Sequence, residues 1–123
     1  MINEVNSLAL AYIGDAVYEL CVREYLLSKK IFKVKNLQQE SIKYVSAKGQ
    51  YKVLIKMIDS QFFTEEELNI IFRARNHKID HRPKSCDVVT YKYATGFEAI
   101  IGYWYLNKNY NRINEMLEYI RGE

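Results

Sequence analysis

Two isolated carboxylates are the side chains of this sequence best suited to chemistry. Asp15 is the only charged residue in positions 5–18, within the stretch "AYIGDAVYEL", and Glu98 is the only acidic residue in positions 88–114. A carboxylate is costly to bury among apolar side chains unless something binds it. We therefore expect each of these acids to have a specific partner.

Glycines beside the two acids indicate how the acids would meet. Gly14 precedes Asp15, while Gly96 and Gly102 flank Glu98, and glycine lets two helices approach closely. Crossing helices would bring the carboxylates side by side, where they repel unless a proton or a cation lies between them. Mg²⁺ suits such a site because it prefers oxygen and often takes only one or two protein carboxylates. The alternative is that each acid is a hydrogen-bonded core residue.

Glu19 has two interpretations. It lies one helical turn after Asp15, on the same face, so its carboxylate would extend the acidic site. It also precedes Arg23 by four residues, which is the favourable order for an ion pair along a helix. The spacing alone does not choose between them.

A basic segment covers residues 73–84. It contains one acid, Asp80, the histidines His77 and His81, and five cations: Arg73, Arg75, Lys78, Arg82 and Lys84. Guanidinium and ammonium groups on a loop suit phosphate contacts, although a merely solvated loop has the same composition. Pro83 argues against a helix on which the two histidines would clamp a metal. An acidic metal site with a basic loop, and no glycine-rich nucleotide loop, predicts phosphodiester hydrolysis on nucleic acid.

The elements that must position these residues are helices. Apolar residues recur at spacings of three and four, alternating patterns are nearly absent, and one proline and five glycines leave few breaks. We predict an all-α fold, with helices at about 3–28, 37–45, 47–59, 64–74, 88–106 and 109–121. The first helix is apolar nearly all round its first half, which is typical of a buried helix. Ser46 and the capping box that begins at Thr64 mark two of the starts, and residues 29–36 form a basic connector.

The third predicted helix has an apolar face formed by four residues. They are Tyr51, Leu54, Ile55 and Ile58.

The whole chain bounds the class of protein. Its 123 residues suit a single domain, 1–123, with 49% hydrophobic residues and a net charge of +3. No apolar run reaches the roughly 18 to 20 residues of a membrane span, and the N-terminus lacks the features of a signal peptide. Cys21 and Cys86 stand far apart, which argues against a disulfide framework or a zinc site. We expect a cytoplasmic protein with no membrane partner.

Two motifs resemble those of a known family. "YIGDAVYEL" (12–20) resembles the ribonuclease III signature, whose core reads roughly E-x-L-G-D-A-V-L, and "FEAIIGYWYL" (97–106) resembles its second acidic motif. "RARN" (73–76) and "KYATGFEA" (92–99) resemble the short bacterial branch, Mini-ribonuclease III. The likeness covers nearly the whole chain, with the motifs in the family's order. At this length the chain is expected to lack the double-stranded-RNA-binding domain of longer members.

The resemblance implies a fold, an activity and partners. The fold would be the all-α ribonuclease III catalytic domain, a helical bundle that forms a homodimer with the signature helix near the two-fold axis. Each subunit would cut one strand of double-stranded RNA with Mg²⁺, or Mn²⁺ in its place, leaving 5′-phosphate and 3′-hydroxyl ends. The branch matures 23S ribosomal RNA, so the implied substrate is a stem of that precursor, and a ribosomal protein is a further candidate partner.

The resemblance also assigns residues. Asp15 and Glu98 fall on catalytic, metal-site positions. Ala11 and Thr95 stand where longer members carry a glutamate and an aspartate, so the site holds fewer carboxylates, and the Thr95 hydroxyl is a candidate to orient a water. Arg73, Arg75 and Asn76 are the first candidates for RNA binding; Lys78, Arg82, Lys84 and Lys92 are the second. The missing carboxylates keep one rival open, a catalytically inactive RNA- or ribosome-binding dimer of the same fold.

Overall fold

The computed structural model describes residues 5–77 and 86–122. Within these ranges it contains six α-helices and no strand, which confirms the all-α prediction. The helices are α1 (Ser7–Ser28), α2 (Val34–Val45), α3 (Ala47–Asp59), α4 (Glu65–Arg75), α5 (Val88–Leu106) and α6 (Tyr110–Arg121). None of the helices in the described part of the chain combines the length and the apolar character that a membrane span requires.

Side-chain caps account for most of the helix starts. Ser46 accepts a hydrogen bond from the backbone N–H of Gly49, and Thr64 and Glu67 form the reciprocal capping box, as predicted. α2 begins three residues earlier than predicted, because its first turn is built from the end of the basic connector. No side chain caps α2 at Lys33, so the sequence carried no signal for that start.

α5 is the central helix of the fold. It packs against α1, α3, α4 and α6, and it contributes Phe97, Ile100, Ile101 and Trp104 to the core, all fully buried. Because α5 contacts four other helices, each residue along it is placed beside a particular neighbouring helix.

α1 is buried along one face only. Leu10, Tyr18 and Val22 lie on its buried side, whereas Tyr12 is 83% exposed and Leu20 is 60% exposed. The prediction of a buried helix therefore holds for only one face of α1 in the described chain. The other described helices cover only one side of α1, which leaves apolar side chains on its outer surface.

The buried face of α3 differs from the predicted one. Gln50, Val53, Leu54 and Met57 are buried, whereas Tyr51, Ile55 and Ile58 are only partly covered. The true face is centred about one residue earlier than predicted, and it includes a polar residue, Gln50.

An ionic cluster fixes α4 against α5 and α6 at one end of the bundle. Glu67 accepts hydrogen bonds from the Trp104 indole (2.8 Å) and from Arg112 Nε (3.0 Å) while it also completes its own capping box. Arg112 in turn donates to the carbonyl of Phe62 and lies over its ring. These bonds satisfy the Glu67 carboxylate, which explains how this acid can be buried.

Candidate metal centre and nucleic-acid interface

Two glycines set the crossing of α1 and α5. A Cβ atom at Gly14 would lie 1.7 Å from the carbonyl oxygen of Glu98, and one at Gly102 would lie 2.0 Å from that of Leu10. The predicted close approach through glycine is thus confirmed for Gly14 and Gly102. Gly96 serves a different contact, because its missing Cβ faces the Ile71 carbonyl of α4 at 2.7 Å.

This crossing brings Asp15 and Glu98 together. Their carboxyl groups lie within hydrogen-bonding reach of each other, as the sequence predicts. The sequence suggests that both acids are surrounded by apolar residues, but Asp15 is exposed in the described chain and only Glu98 is partly buried. The cost of desolvation therefore falls on Glu98, and Asp15 is the member of the pair that solvent reaches.

The pKa of Glu98 is raised to about 8. Burial is the largest cause, followed by the charge of Asp15 and the hydrogen bond with Asp15, while a hydrogen bond from Gln50 acts in the opposite direction. A proton shared between the acids relieves their repulsion, and a cation in the same position would do so as well.

Gln50 is a site residue that the sequence reading missed. Its side-chain nitrogen donates to Glu98 Oε2 at 3.2 Å and to the carbonyl of Val45 at 3.1 Å. In the sequence, Gln50 has the helical spacing that places it on one face with Val53, Leu54 and Met57. This pattern indicates a buried amide only when that face of α3 is known to be the buried one.

The structure gives one interaction for each of Glu19 and Thr95. Glu19 contributes to the raised pKa of Glu98 through its charge, and none of the ion pairs formed within residues 5–77 and 86–122 joins Glu19 to Arg23. Glu19 therefore adds to the acidic field, and the alternative ion pair is not formed. The Thr95 hydroxyl donates to the carbonyl of Tyr91 at 3.0 Å, so its proton is already engaged within α5.

The chemistry of this donor set fits Mg²⁺. Among residues 5–77 and 86–122, no three His, Cys, Asp or Glu side chains form a group that could enclose a metal. Zinc sites in proteins usually have three or four protein ligands, most of them His or Cys, and the acid pair contains neither. Mg²⁺ keeps several waters and needs only one or two carboxylates, which Asp15 and Glu98 could supply.

The raised pKa of Glu98 predicts how metal-free stability depends on pH. Because the folded pKa lies above the ordinary glutamate pKa of 4.5, the protonated group stabilises the fold fully below about pH 4.5, and this contribution is lost as the pH rises towards 8. In EDTA, the free energy of unfolding should therefore fall by roughly 1 kcal/mol per pH unit across this window from this group. Urea unfolding of wild type and Glu98→Gln at pH 5, 6.5 and 8 isolates the effect. Parallel pH profiles for the two proteins would contradict the assignment.

The predicted basic loop begins as part of a helix. Arg73 and Arg75 lie in the last turn of α4 and Asn76 is its C-cap, so these three residues are held by regular structure. Arg73 and Asn76 are exposed. Lys92 lies partly buried on α5, and the candidates Lys78, Arg82 and Lys84 lie outside the described residues.

Arg75 is more strongly held than a solvated loop residue would be. Its guanidinium donates to the Tyr93 hydroxyl at 3.3 Å and to Asn76 Oδ1 at 3.0 Å, and it lies 4.4 Å from the centre of the Phe72 ring. Arg75 is therefore oriented by α5 and by its own helix. Its partly buried position leaves Arg73 as the more accessible cation.

Two aromatic rings, Tyr93 and Tyr51, connect Arg75 to a neighbouring groove. Tyr93, which receives the Arg75 hydrogen bond, packs edge-on against Tyr51, with ring centroids 5.5 Å apart. Tyr51 lines a groove of about 740 Å³ between the first turns of α3 and α5, where Lys48 and Lys52 also lie. Sequence reasoning did not single out these two lysines, because they are not clustered in the chain.

Comparison with known proteins agrees with both motifs. The family model for the ribonuclease III domain matches residues 8–109. A Mini-ribonuclease 3 of Streptococcus pneumoniae is 41% identical over 96% of this chain and 92% of its own length. A Mini-ribonuclease 3 of Desulfitobacterium hafniense is 48% identical over 89% of this chain and 68% of its own length. A crystal structure of a Fusobacterium nucleatum protein superposes with a TM-score of 0.88 at 34% identity, covering 98% of this chain and 96% of that chain.

Proposed function

Because this chain belongs to the ribonuclease III family, we propose that Asp15 and Glu98 form the Mg²⁺ site with which it cleaves RNA. Family membership makes the chain an endoribonuclease acting on double-stranded RNA. The observation that carries the site assignment is that two crossing helices bring two carboxyl groups close enough to interact, one exposed and one hydrogen-bonded by Gln50.

Enzymes of this family are generally metal-dependent. Asp15 and Glu98 would hold Mg²⁺, with Mn²⁺ able to substitute because both ions favour oxygen ligands. When bound, the metal supplies activation of water as the nucleophile and stabilisation of the leaving 3′ oxygen. The products would carry 5′-phosphate and 3′-hydroxyl ends.

The protein would contribute by holding the carboxylates of Asp15 and Glu98 close together, with Asp15 accessible to RNA. Glu98 is hydrogen-bonded by Gln50 and lies at the α1–α5 crossing, while Asp15 is exposed and would be accessible to an RNA phosphate. The charge of Glu19 increases the attraction of the pair for a cation. With so few carboxylates, we expect weak Mg²⁺ binding until RNA phosphates complete the ligand shell.

RNA would be held by cations and polar groups at the end of α4. Arg73 and Asn76 are exposed there, and Arg75 is oriented by Tyr93. A-form RNA is recognised mainly through phosphates and 2′-hydroxyls, which these side chains suit. Lys78, Arg82, Lys84 and Lys92 are further candidates for the same role, and Lys48 and Lys52 in the adjoining groove extend the positive surface.

Arg73→Ala should weaken binding of a duplex RNA and reduce the slope of log affinity against log salt by about one, the loss of one phosphate contact. Fluorescence anisotropy at several salt concentrations measures both quantities, with Asp15→Asn as the background so that the RNA stays intact. Arg121→Ala removes the same charge from the end of α6 and serves as the control. Equal losses in both variants would mean that net charge alone is responsible, and Arg73 would leave the proposed interface.

We also propose that the functional unit is a homodimer built on α1. The outer side of α1 exposes Leu8, Tyr12, Leu20 and Leu27, and a groove of about 330 Å³ beside it is lined mainly by apolar residues of α1, α5 and α6. Contiguous exposed apolar surface on a helix is typical of an interface, and a two-fold dimer would cover the same face on both copies. Sedimentation analysis that finds only monomer at micromolar concentration would contradict this proposal.

The proposed substrate is a paired stem of the 23S ribosomal RNA precursor, with a ribosomal protein as a candidate accessory partner. The test is incubation of the protein with that stem and Mg²⁺, followed by mapping of the new 5′ ends. Cleavage of both strands that EDTA prevents is the expected result. Intact RNA in the presence of Mg²⁺, with RNA binding retained, would favour the non-catalytic alternative.

A further inference from the structure

Gln50 is an unusual residue for the position that it occupies. It is 2% exposed and shares the buried face of α3 with Val53, Leu54 and Met57. Burying an amide among apolar side chains is unfavourable unless its polar atoms find partners. A residue that only filled space here would more simply be apolar.

The amide of Gln50 has one determined orientation. Its nitrogen donates to the carbonyl of Val45, the last residue of α2, and this acceptor could not bind the amide oxygen. The nitrogen therefore also faces Glu98 Oε2, at 3.2 Å, and the two hydrogens of the amide are both used. The end of α2 thus determines which atom Gln50 presents to Glu98.

The other end of the amide is not satisfied. Gln50 Oε1 is buried and has no hydrogen-bond partner among the residues that the structure describes. An unsatisfied buried acceptor is unfavourable for stability, so it calls for an explanation other than stability. The hydrogen bond from Gln50 to Glu98 offers such an explanation, because it gives a buried amide at this position a function.

We propose that Gln50 is a positioning residue that holds the Glu98 carboxylate beside Asp15, so that the pair is ready to take a divalent cation. Gln50 touches neither RNA nor the cation in this account; it acts through Glu98 alone. Groups that orient metal ligands commonly contribute tenfold or more to metal affinity. This inference rests on the metal site of the proposed function.

Two variants test this role. Gln50→Met keeps the length of the side chain and removes both donors, while Gln50→Asn keeps the amide but shortens its reach. Mn²⁺ is titrated into RNA-free protein, with the free ion followed by electron paramagnetic resonance. Each variant should raise the Mn²⁺ dissociation constant by roughly tenfold. The Mg²⁺ concentration for half-maximal cleavage should rise similarly, with a smaller change in rate at saturating Mg²⁺.

The controls separate this inference from the proposed function. Met57→Leu alters the same buried face of α3 without touching Glu98, and it should leave the Mn²⁺ dissociation constant unchanged. Glu98→Gln should abolish Mn²⁺ binding, and if it binds Mn²⁺ as wild type does, the proposed metal site itself fails. If Glu98→Gln loses binding while folded Gln50→Met and Gln50→Asn bind Mn²⁺ as wild type does, only the positioning role is overturned. Circular dichroism establishes that each variant is folded.

Discussion

Asp15→Asn and Glu98→Gln should each lower the rate of duplex-RNA cleavage by roughly 10³-fold or more, while leaving RNA binding nearly unchanged. The two carboxyl groups lie close enough for Asp15 to raise the pKa of Glu98, and each variant removes one of the two negative charges that would hold the cation. A metal site contributes several kcal/mol of stabilisation in the transition state, and 1.36 kcal/mol corresponds to tenfold in rate. Both substitutions keep the shape of the side chain, so the helix crossing should remain intact.

Single-turnover cleavage with saturating protein gives the rate free of any change in RNA affinity. Glu24→Gln, an exposed acid on the same helix as Asp15, is the control and should cleave within about twofold of wild type. Raising Mg²⁺ or Mn²⁺ should restore part of the Asp15→Asn rate, because the defect is in holding the cation. A folded Asp15→Asn or Glu98→Gln protein that cleaves at a tenth of the wild-type rate or faster would remove that residue from the site.

Capping side chains mark the starts of α4 and α5 in the sequence, whereas α1 begins at Ser7, about four residues later than predicted, although Asn6 caps it. The capping box at Thr64 and Glu67 makes the start of α4 readable, and α5 has the predicted bounds, with Asp87 capping it through the Thr90 N–H. α2 lacks a capping side chain, and its start was misplaced by three residues. A helix cap is formed by residues close together in the chain and does not depend on neighbouring helices, so it can be recognised from the sequence alone.

Which side of a helix faces the core was harder to predict, because it depends on the neighbours. The apolar first half of α1 predicts a buried helix, yet Tyr12 and Leu20 are exposed in the described chain. Composition does not distinguish a surface that meets another part of the same chain from one that would meet a second copy. The buried face of α3 was misplaced for the same reason, and the error concealed Gln50.

The candidate site was predictable in its two acids and not in their surroundings. Isolated carboxylates and adjacent glycines were sufficient to pair Asp15 with Glu98. The division of burial between them depends on the position of α1 at the edge of the bundle, which no spacing in the sequence reveals. Gln50 contributes through a contact spanning 48 residues of sequence, so only the folded chain brings it to the site.

Gly14→Ala should lower the free energy of unfolding by about 3 kcal/mol, the upper end of the usual cost of forcing extra atoms into a packed interior. The added Cβ would lie 1.7 Å from the Glu98 carbonyl oxygen and 2.8 Å from the Gly102 backbone nitrogen. Both atoms belong to the backbone of α5, so no side chain can move aside to make room. α1 and α5 would have to separate, and this would open the core along the central helix.

The same separation would disturb the metal site, since Gly14 is next to Asp15 and its contact is the backbone of Glu98 itself. Folded Gly14→Ala protein should therefore cleave duplex RNA more slowly and require more Mg²⁺, in addition to unfolding at lower urea. Gly122→Ala is the matched control: it lies at the exposed end of α6, where the new Cβ meets one oxygen at 3.1 Å, and it should change stability by less than about 0.5 kcal/mol. Equal urea midpoints for Gly14→Ala and Gly122→Ala would show that α1 and α5 are not in close contact at this crossing, and the pairing of Asp15 with Glu98 would lose its structural basis.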